Sequence, residues 1–178
     1  QLDGDGSPLS NVTVNNLVSD NTLYANFNSS LERDVDANVY VSNSADGGDI
    51  DNLAFNNTFS GNSISSCGEE GRCISSINYG IKLRNEIDLL NSAYYDPELM
   101  RTIYDSDGSI DGALFNNVFT GNTISRLSST EAFNSGTAVF LEQGMWGSTV
   151  TDATSAGTFT DNTITGNEGS GRSPSAHR

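Results

Sequence analysis

The chain has 178 residues, with 23 Asp and Glu against 8 Lys and Arg, a formal net charge of −15. That balance excludes nucleic-acid binding, which neutralises phosphates with a basic face, and disfavours charge-driven adhesion to anionic membranes. Hydrophobic residues make up 35%, Gly is 18 and Pro only 3; with Ser, Thr, Asn and Asp filling much of the rest, this predicts a single turn-rich β domain rather than a helical one.

In chain order, the first segment, Leu2 to Leu9, contains Pro8 and two Asp-Gly pairs and reads as a modest lid. Val14-Asn15-Asn16-Leu17-Val18-Ser19-Asp20-Asn21-Thr22-Leu23 then opens a phrase that returns three times. Its closest copies are Phe55-Asn56-Asn57-Thr58-Phe59-Ser60-Gly61-Asn62-Ser63-Ile64-Ser65 and Phe115-Asn116-Asn117-Val118-Phe119-Thr120-Gly121-Asn122-Thr123-Ile124-Ser125. The last is Thr158-Phe159-Thr160-Asp161-Asn162-Thr163-Ile164-Thr165. Aligned, Val18, Phe59, Phe119 and Phe159 form one column and Asn21, Asn62, Asn122 and Asn162 another. Each copy reads as a strand, a sharp Gly- or Asp-containing turn and a second strand. The spacing lies near multiples of about twenty, the length of one turn in a short-coiled solenoid. Stacked coils would turn the Phe column inward and let the Asn column form a ladder of side-chain amides, satisfying groups that cost about 1–3 kcal/mol each when buried unpaired.

Between the copies, Ala37 to Asn43, Tyr79 to Asn85 and Gly136 to Leu141 alternate as half-buried strands do. Read as degenerate coils, they bring the expected total to about eight turns. The pattern blurs around 66–104. Loops are expected over 66–78 and 86–104, with Asn85 to Asn91 able to form one or two helical turns. Tyr94, Tyr95, Met100 and Tyr104 there read as a cover for the side of the stack, or as a contact surface. The expected domain spans 1–167, and Glu168 to Arg178 reads as a flexible Gly/Ser-rich tail. No apolar run approaches the ~20 residues of a transmembrane helix. No signal peptide precedes Gln1, which reads as a mature end or the start of an excised segment.

Cys67 and Cys73 flank a short glycine-containing loop and read as a disulfide made in an oxidising compartment, with two free thiols as the alternative. Asp105, Asp107 and Asp111, with Gly108 and Gly112, resemble the centre of a calcium loop. Ile103 and Leu114 stand where its first ligand and its bidentate Glu belong, so solvated turn carboxylates without any cofactor are the competing reading to calcium. Asp51, Asp111, Arg101 and Arg126 supply carboxylates and cations for polysaccharide chemistry, but their spacing does not set them apart from surface charges. No catalytic residue is assigned.

The phrases Phe-Ser60-Gly61-Asn62, Phe-Thr120-Gly121-Asn122 and Phe-Thr160-Asp161-Asn162 resemble the Phe-x-x-Asn repeats of polymorphic outer-membrane proteins and related autotransporter passengers. Gly112-Ala113-Leu114-Phe115 and Gly136-Thr137-Ala138-Val139-Phe140 look like degenerate forms of the Gly-Gly-Ala-aliphatic phrase that accompanies them. The intact Gly-Gly-Ala is missing, no β-barrel translocator is present and the chain is shorter than whole passengers. The resemblance covers about half the chain and implies an all-β, right-handed parallel β-helix, secreted or at the cell surface. The function it implies is non-catalytic: an adhesin or passenger segment, or a self-assembling structural subunit. Its partners would be a host or neighbouring-cell glycan or protein, or copies of itself along the solenoid axis. The competing expectation is a polysaccharide-active lyase or glycoside hydrolase of the same fold.

Overall fold

The computed structural model describes residues 2–3, 8–24, 35–46, 48–65, 77–96, 100–106, 108–125, 128–129, 137–165 and 168–169. Among these the regular elements are all β-strands. They fall into four tiers that visit the same sheets in the same order. The first tier is β1 (Leu2–Asp3), β2 (Leu9–Ser19) and β3 (Thr22–Tyr24); the second is β4 (Val35–Asp46), β5 (Ile50–Ser60) and β6 (Ser63–Ser65). The third holds β7 (Ile77–Asp88), β8 (Leu90–Asp96), β9 (Arg101–Ser106), β10 (Ser109–Asp111), β11 (Leu114–Thr120) and β12 (Thr123–Ser125), followed by β13 (Ser128–Ser129). The fourth is β14 (Thr137–Trp146), β15 (Thr149–Thr151), β16 (Thr154–Thr160), β17 (Thr163–Thr165) and β18 (Glu168–Gly169).

The first sheet runs β1-β4-β7-β14. The second joins β2, β5, β10 with β11, and β15 with β16. The third runs β17-β12-β6-β3. Pairing is parallel throughout these sheets, in the register Val18↔Phe59↔Phe119↔Phe159. Equivalent residues are therefore 41, 60 and 40 positions apart. The repeating unit is about forty residues, not the expected twenty, and four tiers replace eight turns. The segments 37–43, 79–85 and 137–141 are not separate coils. They lie in β4, β7 and β14 and form the first sheet, with Val39, Ile81 and Val139 in register. Alternation reports only that a strand has one buried face, so it cannot distinguish a new coil from the opposing wall of the same one.

The interval of 60 has a local cause. β8 and β9 form an antiparallel hairpin inserted between β7 and β10. Around it the stack closes up: Leu89 N–H donates to the Trp146 carbonyl and Ser148 N–H to that of Gly108, both at 2.9 Å. Gly108 has no room for a side chain, since a Cβ there would lie 2.8 Å from Leu89 Cδ1 and 3.2 Å from the Gly48 carbonyl oxygen. The excursion thus contains the paired strands 90–96 and 101–106, residues 85–88 and 90–91 are strand where helical turns are expected, and 66–76 of the expected loop lie outside the described residues. At the other end, Glu168 and Gly169 pair with Ser128 and Ser129. The repeat therefore runs two residues into the expected tail, whose remaining positions lie outside the described residues.

Two sharp corners recur in every tier. Asn11, Asn52, Gly112 and Asp152 have φ of 55, 54, 66 and 48°, and Asp20, Gly61, Gly121 and Asp161 have 56, 63, 62 and 55°. Asn, Asp and Gly are the residues that tolerate this left-handed backbone, which explains why they alone occupy these columns. Inside, one apolar cluster gathers Ala45, Ile50, Leu53, Phe55, Ile87, Leu89, Ile110, Ala113 and Phe115. A second gathers Phe59, Ile64, Ile81, Leu83, Phe119 and Ile124. Both draw on facing sheets, so the sheets share one interior.

Candidate functional site

Between the two apolar clusters runs a polar seam. Along β5 and β11 the inward positions alternate Phe55-Asn57-Phe59 and Phe115-Asn117-Phe119, while β4 and β7 bring in Asn43 and Asn85 from the facing sheet. Asn57, Asn85 and Asn117 have no exposed surface. The amides are cross-linked between sheets as well as between tiers. Asn16 Nδ2 donates to Oδ1 of Asn43 (2.8 Å) and Asn57 (2.9 Å). Asn43 Nδ2 donates to Asn57 (2.9 Å) and Asn85 (2.8 Å), and Asn57 Nδ2 to Asn85 (3.2 Å) and Asn117 (2.9 Å). Asn85 Nδ2 continues to Asn117 (3.1 Å), and Asn117 Nδ2 ends on the Ala156 carbonyl (3.1 Å). Asn57 thus uses both donors and both acceptor sites of its amide. From tier to tier, every bond points the same way.

The column of Asn21, Asn62, Asn122 and Asn162 stands at the second corner. Its Nδ2 atoms donate to the next tier's Oδ1 at 3.0, 2.9 and 2.9 Å. The same oxygens accept the backbone N–H of Asn21, Asn62 and Asn122 at 3.1, 3.1 and 3.0 Å. A further Nδ2 hydrogen reaches back to the carbonyls of Val18, Phe59 and Phe119 at 2.9, 2.9 and 2.8 Å. Phe59, Phe119 and Phe159 stack beside this column with centroids 5.0 and 4.6 Å apart and planes within 4°. Phe59 and Phe119 are buried, whereas Phe159, in the last described tier, is 55% exposed.

The central seam is the feature that sequence reasoning missed. Its signal was present in the copied phrases: Asn57 and Asn117 lie two residues from Phe on both sides, and so share the buried face. The seam changes at the fourth tier, where Gln143 stands in register with Asn85 and Gly157 with Asn117. Ser155 likewise takes the place of Phe55 and Phe115. An open depression of about 340 Å³ results, lined by Phe115, Gln143, Met145 and Ser155 among others. Ser155 Oγ donates to Gln143 Oε1.

Outward chemistry is concentrated on the first sheet. Tyr40, Lys82 and Phe140 are in register, followed along the strands by Ser42, Arg84 and Glu142, then Ser44, Glu86 and Gly144, then Asp46, Asp88 and Trp146. The Lys82 ammonium lies 5.3 Å from the ring centres of both Tyr40 and Tyr79 and 6.0 Å from that of Phe140, within cation–π range. Arg84 Nη2 contacts Glu86 Oε2 at 2.8 Å, and its Nε lies 3.8 Å from Glu142 Oε2. The benzo ring of Trp146 fills the space over Gly144 that a side chain would need, while the residue stays 46% exposed.

The structure brings two of the candidate carboxylates side by side. Asp51 and Asp111 are exposed and in register on β5 and β10. Asp51 accepts from Asn52 Nδ2 (2.9 Å) and Asp111 from Thr151 Oγ1 (2.8 Å). Asp105 lies on β9 opposite Ser92, and Asp107 lies outside the described residues. Among the described residues no three His, Cys, Asp or Glu gather as a metal ion would require. Asp49 accepts the backbone N–H and the hydroxyl of Ser109, both at 2.8 Å, and these bonds hold its carboxyl below the usual carboxylate range. Arg101 is on β9, while Arg126, Cys67 and Cys73 lie outside the described residues. No described helix is long and apolar enough to cross a membrane.

Compared with protein-family models, curated proteins and solved structures, the chain finds no match.

Proposed function

We propose that this chain is a length of right-handed parallel β-helix in a secreted or cell-surface protein. It works without catalysis, as an adhesive passenger segment or a self-assembling structural subunit. The observation that carries the reading is the in-register stacking of like residues, Asn on Asn through four tiers and Phe on Phe through three. Such columns form when a chain winds back onto itself at a constant pitch, and parallel crossovers in one sheet are right-handed in nearly all cases. A shaft of this kind presents regular outward columns, which suits it to contact with a surface or with further copies along its axis. The strongly acidic chain, its cation-poor surface and the Asn-rich corners fit an extracellular setting where dissolved ions screen charge.

The test is incubation of the purified chain with uronic-acid polymers and with neutral glycans, followed by assay for new reducing ends and unsaturated products. Retention on cells or extracellular material is measured on the same preparation. Binding or self-association without turnover is the expected result. Turnover abolished by Asp51→Asn or Asp111→Asn would establish the enzyme reading instead.

A further inference from the structure

We propose that the outward face of the first sheet is a binding platform for an uncharged polysaccharide, with Tyr40, Phe140 and Trp146 as stacking rings and Arg84, Glu86 and Glu142 as the hydrogen-bonding centre. This names a partner class for the adhesive reading above and rests on it. The contrast between the two long sheets motivates the inference. On the second sheet the outward positions opposite the apolar core are Thr13, Asn15 and Leu17, then Ala54, Asn56 and Thr58, then Leu114, Asn116 and Val118, then Thr154, Ala156 and Thr158. That wall carries neither a ring nor a charge over these positions. The first sheet carries three outward rings, the chain's single lysine and Arg84. Two of these rings gain little from the fold, since Tyr40 is 54% and Trp146 46% exposed, while Phe140 is half-buried with its ring centre 4.8 Å from that of Tyr79. Gly144 is also placed so that Trp146 can lie across it, because any side chain there would collide with the indole.

The arrangement fits a sugar chain. Pyranose rings offer flat C–H faces that stack on aromatic side chains and rims of hydroxyls that both donate and accept. The Trp146 ring lies back over Gly144, four residues from Phe140 on β14, about 13 Å at a strand's rise, which is room for a short run of sugar units lying along the strands. Between them stand a guanidinium that donates and two carboxylates that accept. Arg84 is already held by Glu86 and Glu142, so these groups require little ordering when they meet a ligand. Charge argues against the acidic class: Asp46, Glu86, Asp88 and Glu142 outnumber Lys82 and Arg84 on the face, and the whole chain stands at −15, so an acidic polymer or acidic protein meets repulsion from both.

The experiment is affinity electrophoresis and calorimetry on the full chain with a soluble β-glucan, a mannan and a xylan. Polygalacturonate and a poly-glutamate peptide serve as acidic probes, and each is run at low and high salt. At least one neutral glycan should bind with an affinity insensitive to salt. Tyr40→Ala and Trp146→Ala should each weaken that binding about tenfold, while Leu17→Ser on the opposite wall leaves it unchanged. Melting curves of all three variants establish that they are folded. Gly144→Ala, which displaces the indole without removing it, should weaken binding as Trp146→Ala does. Failure of all three neutral glycans overturns the proposal, as does binding undiminished in a folded Tyr40→Ala/Trp146→Ala double variant. Retention only by acidic probes, fading with salt, overturns it in favour of a charged partner. The two readings separate cleanly: cell adhesion without glycan binding would leave the adhesive reading standing and sink this one. Glycan binding accompanied by cleavage, lost in the Tyr40→Ala/Trp146→Ala variant, would do the reverse.

Discussion

Replacing Asn57 by Ala attacks the seam where it is most connected. The Asn57 side chain makes four hydrogen bonds, accepting from Asn16 and Asn43 and donating to Asn85 and Asn117. At about 1 kcal/mol net for each, their loss totals about 4 kcal/mol. The cross-linking moderates this, because every partner keeps a second bond: Asn16 to Asn43, Asn43 to Asn85, and Asn85 to Asn117. No neighbouring amide is left wholly unpaired, so the expected destabilisation is roughly 2–4 kcal/mol, including the small cavity. For a chain of this size 3 kcal/mol corresponds to a fall of about 6–12 °C in Tm. Asn56→Ala, one position along, removes a single exposed bond to Asn15 and should cost under about 0.5 kcal/mol. Urea unfolding monitored by far-UV circular dichroism gives both values, and an unchanged m-value shows that stability alone has moved. Asn57→Leu, which restores the volume without the bonds, separates cavity from hydrogen bonding. Equal destabilisation by Asn56→Ala and Asn57→Ala would refute the seam.

Phe119→Ala should cost about 3–5 kcal/mol, and Phe159→Ala less than half of that, because Phe119 is buried between two rings while Phe159 is 55% exposed; equal values in denaturant unfolding would contradict the stacking order. Gly61→Ala should destabilise more than Gly121→Ala. Both incur the left-handed penalty of about 1 kcal/mol, but a Cβ at 61 would also lie 2.5 Å from Asp20 Oδ1. Adding Asp20→Gly to each should erase that difference, as a double-mutant cycle on Tm will show. The lowered carboxyl of Asp49 stabilises the fold above its unfolded value of 3.8, and this contribution is lost as pH falls through the still lower folded value. The stability advantage of the wild type over Asp49→Ala should therefore shrink as acid is added below about pH 4; an advantage that widens instead would reverse the sign of the linkage.

What the sequence made legible was the set of residues that repeat at fixed distance. The aligned Phe and Asn columns follow from copied phrases, and Asn, Asp and Gly at the corners follow from the few side chains that accept a positive φ. What it hid was how many walls one turn has. Val39 to Asn43 and Ile81 to Asn85 show no likeness to the Phe-x-x-Asn phrase, yet they face it across the same core. Two facing sheets need only complementary interiors, not similar sequences, so the register of one could not be read from the other. The hairpin of β8 and β9 compounded the error, because it stretches one interval to 60, a multiple of twenty by coincidence of its length. The outward platform was hidden for a related reason. Tyr40, Arg84 and Trp146 are far apart in sequence, and only the pairing of β4, β7 and β14 makes them neighbours.

That pairing is itself specified from within. The inward faces of β4 and β7 are Val39-Val41-Asn43-Ala45 and Ile81-Leu83-Asn85-Ile87, so a slip of two residues would still keep mainly apolar groups inside. Hydrophobic burial alone discriminates weakly between such registers. The amides discriminate strongly. A two-residue slip sets Asn43 beside Leu83 or Ile87 and breaks its bond to Asn85, and each buried amide left unpaired costs about 1–3 kcal/mol. One buried polar residue can fix the register of a coiled coil on the same logic, giving up some stability for a single arrangement. Here the selected register is also the one that brings Tyr40 beside Lys82 and Arg84 beside Glu142 on the opposite face of the same strands. The outer surface is thus ordered by side chains it never touches. Changes at Asn43 or Asn85 should disturb ligand contact at the platform before they unfold the chain, whereas exchanging one outward residue leaves the register intact and only alters what is displayed.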